Sequence, residues 1–409
     1  MARGLGMARP EEVGLLPAGL DAVDAAVRAY IDNGTLAGAV TLVARHGRVA
    51  RVTAMGAKDI EGAAPMAPDT IFRIFSMTKP VTATAMMILH DEGKWTARDP
   101  IARHLPELKG LKIFAGLDEN GGVKLEEPDH APTMGELMTH MAGFAYGTAF
   151  SNPDDPIDSL YRDAQVLHSG NLTEMVQKLA GLPLAHQPGS KWRYSLSMDL
   201  QGAIIERLSG QSLPDFMRMR IFEPLGMVDT AFHTPAEKRD RLASLYFKAG
   251  DAPLAEVDNP LGDDYAEPPA IAFGGAGLVS TAADYARYAQ MLLNAGELNG
   301  TRIVSEEAIG EQMTNRLSDE LLATRFVAGH QKFRPGFGYG YNGVVFTDPS
   351  LAGVPVGQGT YHWDGAAGTW FWVDPENELL FVGMIQLLSF TAPPLQELTQ
   401  RMIAEAMID

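Results

Sequence analysis

The 409-residue chain is 46% hydrophobic and 21% charged, which excludes a disordered or low-complexity chain and allows a large core. Its 33 basic against 51 acidic residues give a net charge of -18, a balance that repels phosphate backbones and argues against a nucleic-acid partner. It has no cysteine, so disulfide scaffolds, thiolate metal sites and cysteine catalysis are excluded together.

Taken in chain order, Pro17 to Asn33 carries Leu20, Val23, Ala26, Val27 and Tyr30 at helical spacing, with Gly34 as a stop signal. Gly38 to Arg45 and Arg48 to Met55, joined by His46-Gly47, predict a β-hairpin. Ser76 to Glu92 predicts a buried helix ended by Gly93. Helical pieces broken by Pro and Gly then dominate: Thr133 to Met141, Asn171 to Ala180, Ser197 to Leu208 and Leu213 to Phe222. Ala145 to Pro156 predicts a polar loop with aromatics. Arg241 to Phe247 predicts a strand, and Thr281 to Leu293 a helix capped by Thr281 or Ser280. Thr360 to Trp363, Thr369 to Val373 and Leu379 to Leu387 predict strands, the last two joined by a turn at Asp374 to Asn377. Leu395 to Met407 predicts a closing amphipathic helix.

Strands at both ends with helices between them predict an α/β (α+β) fold, an antiparallel sheet built from both termini with an inserted, mainly helical domain. The expected division is 1–95 with 245–409 for the sheet-bearing part and 96–244 for the helical part. No run approaches 18 apolar residues and the first residues carry no apolar signal core, so the expectation is a cytoplasmic protein without a membrane partner.

The sharpest chemical feature is Ser76-Met77-Thr78-Lys79-Pro80 at a helix start. A serine hydroxyl is a weak nucleophile until a base removes its proton. Residues three apart share a helix face, so Lys79 can point at Ser76 Oγ. A capping Ser beside a surface Lys is the bland alternative. Tyr194 follows the Pro188-Gly189 turn and precedes a helix, a placement that suits a cleft-facing residue as well as a packed one. Asp364-Gly365-Ala366-Ala367-Gly368 is a small-residue stretch between strand-like runs. There a ligand can approach the backbone and amides can stabilise an oxyanion, although a bulge or hairpin loop reads the same way.

Together these segments resemble the serine β-lactamase and penicillin-recognising superfamily, most closely its class C β-lactamase and family VIII carboxylesterase branch. The resemblance is carried by Phe72–Pro80 (FRIFSMTKP), Leu137–Phe144 (LMTHMAGF), Pro188–Ser195 (PGSKWRYS), Gly274–Tyr288 (GGAGLVSTAADYARY) and Trp363–Pro375 (WDGAAGTWFWVDP). It implies an acylated nucleophile at Ser76 and a hydrogen-bonded base pair of Lys79 and Tyr194. It also implies an oxyanion hole from the backbone N–H groups of Ser76 and Ala366. Trp363, Asp364 and Gly365 would line the cleft on an edge strand, and the site would lie between the two domains.

The departures from that family carry the specificity argument. Trp363 stands where the β-lactamases place a Lys that holds the drug carboxylate, and Leu196 where they place an Asn. Both exchanges favour uncharged acyl esters over β-lactams. Asp364 replaces a Gly common in the esterases. Phe144, Tyr146, Phe150 and Tyr161 are candidates for an acyl pocket. No serine lies in a G-x-S-x-G elbow, which disfavours an α/β-hydrolase. The ten histidines show no H-E-x-x-H spacing, so no metal and no cofactor is expected. His140 is a minor candidate base. The expected activity is hydrolysis of short-chain carboxylic esters, a small-molecule substrate. The alternatives are a β-lactamase or D-amino-acid peptidase, an acyltransferase, and a non-hydrolysing penicillin-binding sensor.

Overall fold

The computed structural model describes residues 5–148, 154–259, 262, 265–323, 327–328, 331–332, 334–389 and 392–408. The main sheet contains β1 (Gly6–Met7), β2 (Gly38–Arg45), β3 (Arg48–Asp59), β4 (Phe337–Tyr339), β5 (Val344–Phe346), β6 (Tyr361–Asp364), β7 (Trp370–Asp374) and β8 (Leu379–Met384). Their order is β1-β3-β2-β8-β7-β6-β5-β4, with Ala64–Pro65 added to β3. All neighbours are antiparallel except β1 and β3. The two ends of the chain meet at the β2–β8 pair, from Val40 opposite Met384 to Arg45 opposite Leu379.

The β2–β3 hairpin turns on His46 and Gly47, with φ of 53° and 73°. Two positive φ values make a turn whose twist matches the flanking strands, and glycine takes the second at no steric cost. Side chains alternate across the sheet, and both faces are covered. Val40, Leu42 and Ala44 join the larger core with Phe371, Val373, Leu380 and Val382. Ala39, Val43, Trp370, Trp372 and Phe381 join a second core on the opposite face. Burial on both faces explains why these strands read as continuous apolar runs rather than alternating ones.

The principal helices are α1 (Pro17–Asp32), α2 (Thr78–Asp91), α3 (Ser197–Ser209), α4 (Ala282–Leu293) and α5 (Leu395–Ala406). Helices α1 and α5 pack together over the second core, where Gly19 lies so close to Ala406 that a side chain would collide with it. Helix α4 covers β7, β8 and β2 on the other face, and Thr281 caps it by accepting the Asp284 N–H at 3.1 Å. Helix α2 is buried from Thr78 to Leu89 and packs on α3. Among the described residues no helix is long and apolar enough to cross a membrane.

The structure corrects several local expectations. Of Arg241 to Phe247 only Tyr246–Phe247 is a strand. The residues before it cross other segments, with Ala243 N–H donating to Ile71 O and Ser244 N–H to Lys58 O. The helix expected to Met141 stops at Met138, because His140 takes φ of 60°. Leu213 to Phe222 starts as an α-helix and continues from Arg218 as a π-helix. A hairpin of Ile113–Leu117 with Val123–Glu126 and a helix at Pro156–Asp163 were not expected.

Candidate active site

Ser76 lies in a single 3-10 turn, Phe75–Met77, that leads into α2. Phe75 has φ of 42°, a left-handed conformation that costs a bulky residue about 1–3 kcal/mol and persists only where surroundings fix it. Its ring is buried with Leu245, Ala276, Ala367 and Leu388. Around the turn, Ile74 N–H donates to Leu278 O at 3.0 Å, Thr369 Oγ1 to Ile74 O at 3.2 Å and Tyr285 OH to Met77 O at 2.8 Å. Gly365 lies against the Ile74 carbonyl, where a Cβ would collide with it. The small-residue stretch after β6 is thus needed for close approach to the segment that carries Ser76.

Ser76 Oγ sits 3.1 Å from Lys79 Nζ, one helical turn on, and accepts a hydrogen bond from Tyr194 OH at 2.8 Å. Ser76 and Tyr194 are half-buried and Lys79 is wholly buried. Burial pushes the Lys79 ammonium down to about 7, against the opposing fields of Asp199 and Asp364. Lys79 Nζ also donates to Gly275 O at 2.6 Å and lies over the rings of Tyr194 and Tyr146, 4.7 and 5.6 Å from their centroids. The Tyr194 hydroxyl is raised well above the usual phenol range by burial, with Asp364 and Asp199 adding to the rise and the Ser76 hydrogen bond opposing it. Its ring is wedged among His140, Tyr146, Trp192 and Trp363, with centroids 4.8 to 6.1 Å away.

The structure brings Ser76, Lys79, Tyr194 and Tyr146 together and places other expected residues differently. Leu196 and Phe144 are at most 1% exposed and belong to the core, as does Tyr161. Trp363 is likewise buried, so its ring backs Tyr194 instead of forming cleft surface. Phe150 lies outside the described residues. Ala366 is exposed between the buried Gly365 and Ala367. Strand β6 is not at the sheet edge, because β5 pairs with it. That pairing ends at His362, however, so Trp363 and Asp364 pair only with β7. Arg193 is engaged by Asp155 and Asp158, each at 2.9 Å. His140 is held below the usual imidazole range by burial and by Lys79, and its Nδ1 accepts the Ser195 N–H at 3.1 Å. It positions the Tyr194 segment.

Asp199 and Gly275 were not singled out from the sequence. Asp199 is buried in the first turn of α3 and accepts the Gly275 N–H at 2.9 Å. An acidic residue there is ordinary helix chemistry, so its sequence signal is structural. A cavity of about 440 Å³ is lined by Arg73, Leu245, Val257 and Asp258 among others, and Leu245 also packs on the Phe75 ring.

A base with a depressed pKa beside a serine on a strained turn suits nucleophilic catalysis. One result follows directly. Only the neutral Lys79 amine accepts a proton, and its charge is lost as pH rises through about 7. If Lys79 is the base, turnover is expected to rise through a limb centred near pH 7 and to level by about pH 8 to 9. A kcat/KM profile that peaks below about pH 6 would point to a carboxylate base instead.

The β-lactamase family model matches residues 23–404. An uncharacterised protein of Mycobacterium tuberculosis is 38% identical over 376 residues, covering 90% of each chain. Esterase EstB of Burkholderia gladioli is 33% identical over 374 residues, covering 87% of each. Among solved structures, EstCE1, described as a hydrolase with promiscuous acyltransferase activity, superposes with a TM-score of 0.78 at 26% identity, covering 96% of this chain and 99% of that one. The match across nearly the whole chain, with an esterase among its relatives, makes this protein a member of the β-lactamase family and a serine hydrolase of the β-lactamase fold.

Proposed function

We propose that the protein hydrolyses short-chain carboxylic esters through an acyl-enzyme on Ser76. The observation that carries this reading is the placement of Ser76 Oγ between Lys79 Nζ at 3.1 Å and Tyr194 OH at 2.8 Å. Neutral Lys79 accepts the serine proton as Oγ attacks the ester carbonyl. The oxyanion is met by the N–H groups of Ser76 and Ala366. Tyr194, a donor at rest, delivers a proton to the departing alkoxide and is reprotonated from Lys79. Water then attacks the acyl-enzyme with the same groups in reverse order. In the two-part division of the chain, Ser76, Lys79 and Ala366 come from 1–95 and 245–409, and Tyr194 from 96–244.

The ester preference rests on charge. Trp363 supplies no cation at the strand position expected to hold a drug carboxylate, and it is buried. The nearby Asp364 adds a negative field at Lys79 and Tyr194. A substrate carboxylate placed there lacks a partner, which is costly. The expected result is a kcat/KM for p-nitrophenyl butyrate at least about 10² above that for nitrocefin, a discrimination of about 2.7 kcal/mol or more. A preference for nitrocefin would overturn the ester reading in favour of a β-lactamase. Acyl transfer to an alcohol is the second reading, favoured by the similarity to EstCE1. Methyl butyrate forming from p-nitrophenyl butyrate in added methanol, faster than hydrolysis, would establish it.

A further inference from the structure

We propose that Asp199 is a positioning residue that fixes the proton acceptor of the reaction by holding the N–H of Gly275, the residue whose carbonyl holds Lys79. This rests on the reading of Lys79 as base. The carbonyl of Gly275 accepts from Lys79 Nζ at 2.6 Å, and the N–H of the same residue donates to Asp199 Oδ1 at 2.9 Å. One residue thus links the ammonium and the carboxylate. Asp199 is 1% exposed and Lys79 wholly buried, so neither can exchange this contact for water without local opening. A Cβ on Gly275 would lie 3.1 and 3.2 Å from the two Asp199 oxygens and 3.3 Å from Tyr146 OH. A side chain there would press on both groups, which accounts for the glycine.

Geometry and charge act together. Burial raises the Asp199 carboxyl, and the field of Lys79 and the hydrogen bond from Gly275 oppose the rise. Asp199 in turn is the larger of the two anionic fields that keep Lys79 from falling further, Asp364 being the other. Among the described residues, Tyr146, Tyr194 and His140 are further titratable groups around the pair, and their shifts leave them uncharged at neutral pH. Asp199 therefore offsets part of the effect of burial on Lys79, while its grip on Gly275 holds Nζ at Ser76.

Asp199→Asn keeps an oxygen to accept the Gly275 N–H and removes the charge. The acid limb of kcat/KM for p-nitrophenyl butyrate should move to lower pH by about one unit, because an opposite charge has been taken from beside the ammonium. The plateau should stay within about tenfold of wild type. The limb is also read from the rate at which a serine-directed phosphonate inactivates the protein, a measurement that needs no turnover. An unmoved limb, a limb moved to higher pH, or a folded variant inert to both probes would overturn the proposal. A purely structural Asp199 would lower thermal stability and leave the limb in place. If the Asn variant does not fold, Asp199→Ser removes the same charge, keeps a small acceptor and should give the same displacement. The underlying reading fails separately: activity surviving in Ser76→Ala removes Ser76 and Lys79 from the chemistry, whereas an essential Ser76 with an unmoved limb removes only the role of Asp199.

Discussion

Ser76→Ala is expected to lower kcat for p-nitrophenyl butyrate by at least about 10⁴ while the protein stays folded. Lys79 and Tyr194 approach this hydroxyl from two directions. His140 is tied to Ser195, and Arg193 to two carboxylates. The stability cost is small because Ser76 is half-buried and Lys79 keeps its bond to Gly275 O. The two hydrogen bonds lost, to Lys79 and Tyr194, are worth about 1 kcal/mol each. Unfolding by circular dichroism should therefore stay cooperative. A serine-directed phosphonate should add its mass to the peptide containing Ser76 in the wild type and to no peptide in the variant. Activity within about tenfold of wild type in Ser76→Ala would sink the acyl-enzyme reading.

Much of this arrangement was legible in the sequence because it rests on local rules. The i, i+3 spacing places Lys79 on the face of Ser76, and His46-Gly47 permits a tight turn between two apolar runs. The strands of both chain ends are apolar on both faces, and they pair as one sheet. What was not legible depends on contacts between distant segments. Nothing near Phe75 in the sequence announces its positive φ, which follows from an apolar cluster drawn from residues 245, 276, 367 and 388. Burial of Leu196 and Trp363 could not be read from their place in a motif, since motif alignment gives order along the chain and not depth. Asp199 became visible only when Gly275 was found between it and Lys79, 76 residues away from the one and 196 from the other.

The placement of Tyr194 leads to the second large effect. Its hydroxyl is raised well above the phenol range, so at neutral pH it rests protonated and donates to Ser76. In the proposed mechanism Lys79, lowered to about 7, serves as the base, and Tyr194 hands a proton to the leaving alkoxide. Tyr194→Phe should lower kcat by about 10² to 10⁴, the usual range for loss of a positioned proton donor or base. KM should change little, because the ring stays held by Tyr146, Trp192, His140 and Trp363. The loss should also depend on the leaving group. A p-nitrophenolate departs readily without a proton, whereas an alkyl alkoxide does not. Ethyl butyrate should therefore lose more activity than p-nitrophenyl butyrate in the Phe variant. Equal losses for the two esters would assign Tyr194 to removal of the serine proton, a step they share. A kcat within about threefold of wild type for both would leave Lys79 acting alone and Tyr194 as an aromatic wall.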